Sequence, residues 1–185
     1  MKSLKGHLLL ASTALVDPNF AKSVVLLFEH SEDGAAGIIL NRPSPVSIAH
    51  IAHKVFQFPS VWEKPINIGG PVSGPLAAAH TKREFADLEV MPGIYGALQP
   101  DHIRQLIQKQ QEPTFFVLNY SGWGPGQLEQ ELQEDSWLVM PARQEHVFWS
   151  REEPLWENCV VEQKSVTSLQ RSLGIKNPPR DPTLN

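Results

Sequence analysis

The stretch Phe115–Met140 constrains the fold of this chain most, because two apolar runs flank a glycine-rich turn in it. The first run, Phe115–Leu118, is continuous and β-prone, which predicts a strand buried on both faces. Ser121–Gly124 holds two glycines with a tryptophan between them, which predicts a tight turn that the strand cannot enter. The second run, Trp137–Met140, predicts another strand. The stretch therefore predicts a strand, a turn, a helix and a strand in close succession.

The residues between the turn and the second strand predict a short amphipathic helix. Pro125 suits the first position of a helix, where no N–H is needed, and Leu128 and Leu132 share one face. A helix that starts at a glycine turn directs free N–H groups and its positive dipole end towards the turn, which suits an anion. The turn therefore predicts either a ligand pocket roofed by Trp123, or glycines that only allow tight packing while this tryptophan fills the core.

The turn does not match the sharper motifs of this type. Gly122, Gly124 and Gly126 form G-x-G-x-G, not the dinucleotide-binding G-x-G-x-x-G, and no Lys-Ser or Lys-Thr follows as in a P-loop. Ser121 lies between strand and helix like a nucleophile, but Asn119 stands where the elbow motif needs glycine. The pattern therefore assigns no catalytic serine.

Length and composition predict one domain over residues 1–176, and the proline-rich residues 177–185 predict a disordered tail. The net charge of −4 provides no electrostatic footprint for nucleic acid. The one cysteine, Cys159, cannot form an internal disulfide and suits a reducing compartment. No apolar run approaches the ~20 residues that cross a bilayer. We therefore expect a cytoplasmic protein without a membrane partner.

His50 and His53 lie three residues apart on a predicted helix, a spacing that can face a common metal. No third ligand is indicated, so we expect two solvated histidines and neither a metal nor a cofactor.

The rest of the chain predicts a mixture of strands and helices, with the second and third strands paired antiparallel across a polar turn. The predicted strands are 6–11, 23–30, 35–40, 66–68 and 76–80, with short extended pieces in 85–95, and the predicted helices are 46–58, 100–110 and 154–173, the last capped by Gly174.

Four stretches together resemble the AlgH/YqgE family of bacterial proteins. Their order and spacing agree with that family, and the resemblance covers residues 6 to about 174. The stretches are GHLLLAS with DPNFAKSVVLLFEH at 6–12 and 17–30, GAAGIILNRP at 34–43, GGPV at 69–72, and GWGPGQLEQEL with SWLV at 122–132 and 136–139.

The resemblance implies an α+β fold, in which a mixed, largely antiparallel sheet curls into a partial barrel with helices packed outside. It implies no established reaction. One branch of the family is named as a regulator of alginate production, so transcriptional regulation is a further implication. The acidic composition and the lack of a Lys/Arg cluster disfavour direct DNA binding.

The resemblance also implies three groups of signature residues at strand ends or glycine turns, where binding sites are commonly built. We expect them to converge on one pocket, in which Arg42 binds a carboxylate or phosphate and Trp123 forms an apolar wall. The alternative is that Arg42 and Glu131 are buried partners of each other. The ligand-binding residues predicted in this way are Asn41, Arg42, Gly69, Gly70, Trp123, Gly124, Gly126, Gln127 and Glu131.

Three functions remain open from the sequence. A non-enzymatic regulatory protein that binds a small anionic ligand or a partner protein fits best, because no nucleophile–base pair or metal set is indicated. The second is a small hydrolase-like enzyme for an anionic substrate, with Glu131 or His30 as a base beside Arg42. The third is a DNA-binding transcriptional regulator.

Overall fold

The computed structural model describes residues 2–150 and 153–172. The strands are β1 (His7–Ala11), β2 (Val24–Ser31), β3 (Gly34–Ile39), β4 (Pro43–Ser47), β5 (Pro65–Ile68), β6 (Val72–His80), β7 (Leu88–Met91), β8 (Ile94–Ala97), β9 (Thr114–Trp123) and β10 (Trp137–Pro141). The helices are α1 (Ile48–Lys54), α2 (Pro100–Gln108), α3 (Gln127–Gln133), α4 (Gln144–Val147) and α5 (Leu155–Ser172), and a short 3₁₀ helix covers Arg83–Phe85.

The strands of the described chain form one sheet that curls into a half-barrel, with the order β10-β1-β2-β3-β9-β6-β8-β7. The remaining strands, β4 and β5, pair with each other, and β5 joins the sheet by pairing with β9. Among these described pairs β5 and β9 run parallel and the others run antiparallel. The predicted α+β class with a mixed, largely antiparallel, partly closed sheet is confirmed.

Apolar side chains sort into three cores, because successive residues of a strand point to opposite faces of the sheet. In β1, Leu8 and Leu10 enter one core while Leu9 and Ala11 enter another. Strands buried on both faces read as continuous apolar runs, which is the pattern that the sequence shows here. The first core surrounds Leu8, Leu26, Val117 and Met140, the second surrounds Leu9, Val25, Leu27 and Trp123, and the third surrounds Ile48, Ile103, Leu106 and Phe116.

Strand β9 extends further than predicted. The prediction that Ser121–Gly124 turns away from the strand is wrong, because β9 continues to Trp123. Ser121 and Gly122 pair antiparallel with Gly37 and Ala36 of β3, so the glycine-containing segment forms part of the ladder.

Strand β9 also changes the face to which its odd-numbered residues point. Phe115 and Val117 enter the first core, whereas Trp123 enters the second core. Between them lies Asn119 with a left-handed φ of 67°, a conformation in which asparagine is enriched among non-glycine residues. This one irregular residue lets β9 serve both halves of the sheet.

Helix α1 is shorter than predicted. The periodicity predicts Val46–Phe58, but Pro43–Ser47 forms a strand against β5 and α1 covers only Ile48–Lys54. The Ser47 hydroxyl accepts a hydrogen bond from the His50 amide at 3.4 Å, so it caps the helix.

Helix α3 starts two residues after the predicted Pro125, because Gly126 with φ 73° forms its N-terminal cap. Helix α2 ends at Gln108, close to the predicted end. The predicted helix end at Leu173, the Gly174 cap and the tail lie outside the described residues, and the division into one domain and a tail stays a prediction. None of the described helices has the length and apolarity to cross a membrane.

Candidate functional site

Gly69 and Gly70 lie against the backbone of β9 with no space for a side chain. A Cβ atom on Gly69 would lie 2.4 Å from the Asn119 carbonyl oxygen, and one on Gly70 would lie 2.4 Å from the Tyr120 carbonyl oxygen and 2.3 Å from Ser121 Oγ. The Gly69 amide donates to the Leu118 carbonyl at 2.8 Å, and its own carbonyl accepts from Ser121 Oγ at 3.0 Å. We call residues 69–70 and 118–123 the glycine seam. At these two glycines the seam is a backbone-to-backbone contact.

Asn41 and Arg42 hold the loop that precedes β2. The Asn41 side chain accepts from the Val24 amide at 3.0 Å and donates to the Lys22 carbonyl at 2.8 Å. The half-buried Arg42 guanidinium donates from Nη2 to the Ala21 carbonyl. Within residues 2–150 and 153–172, no carboxylate lies at ion-pair distance from this guanidinium. Most of its five N–H donors therefore have no partner in that part of the chain.

Glu131 on α3 accepts three side-chain hydrogen bonds. Its Oε2 accepts from Trp123 Nε1 at 2.9 Å and from Trp137 Nε1 at 2.7 Å, and its Oε1 accepts from Gln127 Nε2 at 2.9 Å. Arg42 and Glu131 thus have different partners, and they do not form the ion pair that was the alternative interpretation.

Several polar groups at the start of α3 bond to each other. The Gly124 amide donates to Gln127 Oε1 at 3.0 Å, and the Gln127 amide donates to the Gly124 carbonyl at 3.1 Å. The Gly126 carbonyl accepts from the Gln130 amide at 3.1 Å. Two of the amides at this turn therefore have partners within it, and the predicted anion site at the helix start stays a prediction.

The loop before β2 connects two of the predicted groups. The Phe20 ring lies 6.1 Å from the Trp123 ring and 5.5 Å from the Trp137 ring, measured between centroids. The next residue, Ala21, is the one that Arg42 holds. Arg42 and Trp123 therefore contact the same loop, while Gly69 and Gly70 lie buried against β9.

Two cavities lie beside these groups rather than among them. One, of about 540 Å³, lies between residues 12–18 and the segment after α3. The carboxylates of Asp17 and Glu134 line it, so its charge favours a cation over the predicted anion. The other, of about 380 Å³, lies near the start of β9. None of the predicted ligand-binding residues lines either cavity, and their shared pocket stays a prediction.

His30 is buried and uses both ring nitrogens within the protein. Its Nδ1 accepts from the Leu4 amide at 2.8 Å, which assigns the ring proton to Nε2, and Nε2 donates to Glu129 Oε1 at 2.8 Å. A histidine engaged in this way has no free nitrogen for a substrate proton. The hydrolase hypothesis thus loses one proposed base, and the other, Glu131, binds two indoles. Sequence reasoning missed Glu129, which lies 99 residues away along the chain.

A second ionic cluster joins α4 to α5 and was also missed. Arg143 Nη2 donates to Glu162 Oε2 at 2.8 Å, and the Arg143 amide donates to His146 Nδ1 at 3.1 Å. The bond from Arg143 lowers the pKa of the Glu162 carboxyl, and burial raises the pKa of the neighbouring Cys159 thiol to about 11. A thiol of that kind is not a reactive nucleophile at neutral pH.

His80 is the third titratable group that sequence reasoning did not single out. It is buried, its Nδ1 accepts from the Lys82 amide at 3.2 Å, and its Nε2 has no partner in the described chain. Burial lowers the pKa of His80. Asp87 and His102 lie nearby as a pair with a 2.9 Å hydrogen bond. No group of three or more potential ligands in the described residues is arranged for a metal ion.

The comparisons with known proteins agree with this fold. A family model described as AlgH-like matches residues 8–167. The chain belongs to the AlgH-like family. A UPF0301 protein of Chlorobaculum tepidum is 37% identical over 162 residues, which are 84% of each chain. Another, of Myxococcus xanthus, is 35% identical over 164 residues, which are 86% of this chain and 91% of the relative.

Two solved structures have the same AlgH-like architecture. The solution structure of the AlgH protein from Pseudomonas aeruginosa aligns with a TM-score of 0.71 at 29% identity, covering 96% of this chain and 92% of that one. A Corynebacterium diphtheriae crystal structure aligns with a TM-score of 0.69 at 22% identity, covering 88% and 87%, which is a likeness of fold alone. The predicted membership of the AlgH/YqgE family is confirmed.

Proposed function

We propose that this AlgH-like chain is a non-enzymatic binding protein that recognises a carboxylate or phosphate group through Arg42. The observation that carries the proposal is the half-buried guanidinium, which lacks a carboxylate partner within residues 2–150 and 153–172. Arginine presents a planar fork of donors that matches carboxylate and phosphate oxygens. Its bond to the Ala21 carbonyl fixes the orientation of that fork.

A second cation supports the same chemistry. Lys22 follows directly after Ala21, and its carbonyl is held by Asn41 at 2.8 Å. The Lys22 side chain is 70% exposed, and its ammonium lies 3.7 Å from Glu157, which is a weak surface pair. Lys22 therefore adds a second positive charge to the loop that Arg42 holds.

The anionic group can belong to a small molecule or to the side chain or C-terminus of a partner protein. Either source can present such a group to Arg42, which lies outside both of the described cavities. Regulation through such binding is compatible with the acidic net charge of −4, which opposes direct contact with DNA. No described contact favours the hydrolase alternative, since His30 is engaged on both nitrogens.

A thermal-shift experiment separates the sources of the anion. Nucleotides and phosphorylated metabolites form one arm, and peptides that end in a free carboxylate form the other. A ligand at about 100 times its Kd adds roughly 2.7 kcal/mol to the stability of the protein, which raises Tm measurably.

Variants at Arg42 test whether this residue is responsible for binding the anionic ligand. We expect Arg42→Ala to abolish the shift and Arg42→Lys to weaken binding about tenfold or more, because lysine cannot bind bidentately. Arg104→Ala is the matched control, since Arg104 is an exposed arginine near the Phe56 and Phe58 rings. Ligands that shift wild type and Arg42→Ala equally, or that shift neither, would overturn the proposal.

A further inference from the structure

We propose a second ligand site, independent of Arg42, in the 380 Å³ cleft beside the start of β9. It takes a small ligand with a flat apolar body and one anionic group. We call it the aromatic cleft. Its lining includes Lys64, Glu112, Phe115, Val147, Phe148 and Trp149.

The walls of the aromatic cleft come from segments that are distant along the chain. Residues after α4 bring Phe148 and Trp149 across the N-terminal end of β9, where Phe115 is buried. Both Phe148 and Trp149 are half-buried and pack against the first core. Their rings are therefore held in place on one side and available to a guest on the other.

The size and lining of the cleft suit a small organic molecule. Ligand pockets usually measure about 300–1,000 Å³ and combine apolar and aromatic walls with a few polar groups. The Trp149 indole N–H reaches the Leu40 carbonyl only at 3.5 Å, which is a long hydrogen bond.

The ion pair of Lys64 and Glu112 at the cleft determines which sign of charge a ligand should carry. Lys64 Nζ lies 2.6 Å from both carboxylate oxygens of Glu112. The Lys64 side chain is 24% exposed, and its ammonium lies 5.4 Å from the centre of the Trp62 ring, whereas the Glu112 side chain is 56% exposed. The ammonium, which is partly buried and lies over the Trp62 ring, is the fixed charge, and the exposed carboxylate is the group that a ligand can replace.

An anionic ligand therefore exchanges one carboxylate for another on Lys64 while its apolar body enters the aromatic cleft. The ammonium keeps a charge-assisted partner throughout, so little electrostatic energy is lost. The apolar contact then supplies the net affinity. A cationic ligand would have to replace the Lys64 ammonium, and the Lys64 side chain is less exposed than that of Glu112.

Anilinonaphthalene sulfonate tests the aromatic cleft directly, because it joins a flat aromatic body to one sulfonate and becomes fluorescent in apolar surroundings. Phenylnaphthylamine has the same body without the sulfonate and serves as the neutral comparison. We expect saturable binding of the sulfonate and at least about tenfold weaker binding of the neutral compound.

Two variants give opposite expected shifts. Lys64→Met removes the fixed charge and should raise the Kd of the sulfonate about tenfold. Glu112→Gln removes the competing carboxylate and should lower that Kd severalfold. Lys109→Met and Glu84→Gln are matched controls from a surface pair 3.9 Å apart, and both should bind like wild type.

The proposal fails if the sulfonate does not bind saturably, if the neutral compound binds as well, or if Lys64→Met binds like wild type. It also fails if Glu112→Gln binds no tighter, or if the controls lose affinity equally. Loss of sulfonate binding in Arg42→Ala but not in Lys64→Met would assign the probe to the first site instead. Circular dichroism and urea unfolding of each variant confirm that it is folded.

Discussion

The glycine seam and the aromatic cleft lie at opposite ends of β9 and differ in how they use space. At the seam, backbone approaches backbone so closely that Gly69 has a neighbouring oxygen where a Cβ would be. At the cleft, Phe148 and Trp149 leave about 380 Å³ unfilled. The seam consists of residues that are recognisable in the sequence, while the cleft has no motif. Recognisable motifs can therefore mark where a chain must pack, and room for a ligand can lie elsewhere.

The largest effect is expected from Gly69→Ala, which tests the steric claim for the seam. The new methyl group would lie 2.4 Å from a backbone oxygen that cannot move aside easily. We predict a loss of roughly 3 kcal/mol or more in the free energy of unfolding, measured by urea titration. Gly124→Ala is the control, because its nearest neighbour is a flexible Gln127 oxygen at 3.9 Å. Equal stability of the two variants would contradict the distinction.

Glu131→Ala should have the next largest effect, because it leaves the indole N–H groups of Trp123 and Trp137 without their acceptor. We predict a loss of about 2–4 kcal/mol, with a change in tryptophan fluorescence. Glu131→Gln retains an acceptor oxygen and should lose less. Glu134→Ala, at the exposed residue directly after α3, should stay within about 0.5 kcal/mol of wild type. A small effect of Glu131→Ala would show that α3 does not depend on this network.

A pH titration should distinguish the cleft end of β9 from the seam. His80 pairs with Thr114 at that end, and burial lowers its pKa in the folded state. The unfolded chain then binds more protons, so stability is retained above about pH 6.5 and falls as the pH drops towards the folded pKa. The slope contributed by His80 reaches at most about 1.4 kcal/mol per pH unit.

His80→Asn should flatten this acid-side slope, since the amide oxygen of asparagine can replace Nδ1 as the acceptor for Lys82. Asp87 and His102 face His80. Burial opposes ionisation of Asp87, but hydrogen bonds from the Gln99 and Leu98 amides outweigh it and lower the pKa of that carboxyl, so a further slope should remain at lower pH. His50→Asn on the exposed face of α1 is the control and should leave the slope unchanged. A slope that survives in His80→Asn would assign it to those neighbours.

The smallest effect on stability is expected from Phe148→Leu in the aromatic cleft. The side chain is half-buried, and a swap of similar volume usually costs less than about 1.5 kcal/mol. Sulfonate binding should nevertheless weaken severalfold, because a flat wall is lost. A large loss of stability with unchanged binding would make Phe148 a packing residue like those of the seam.

The positions of several strands were accessible from the sequence because those strands are buried on both faces, whereas the partly closed sheet was implied by the family resemblance. Leu8, Leu9 and Leu10 form a continuous apolar run, which is typical of a strand that has a core on each side. The extent of β9 was not accessible, because glycine before and after Trp123 has the local pattern of a turn, and only pairing with β3 reveals a strand. Tertiary pairing overrides local preference in such segments.

Local sequence patterns also could not show which polar side chains bond to each other. His30 finds Glu129 across 99 residues, and Lys64 finds Glu112 across 48. No periodicity or spacing rule connects residues so far apart. The resemblance identified Arg42 as notable, but only coordinates indicate that its partner is a carbonyl rather than Glu131.

Asn119, with its left-handed backbone conformation, fixes the phase of β9, which means the face of the sheet to which each later residue of the strand points. Deleting one residue between Leu118 and Ser121 would rotate every later side chain of β9 to the other surface and move Trp123 away from Glu131. Substitution at Asn119 keeps the count of residues and so preserves this phase, at the cost of some backbone strain. Relatives of this protein should therefore vary in residue type at this position far more readily than in the number of residues there.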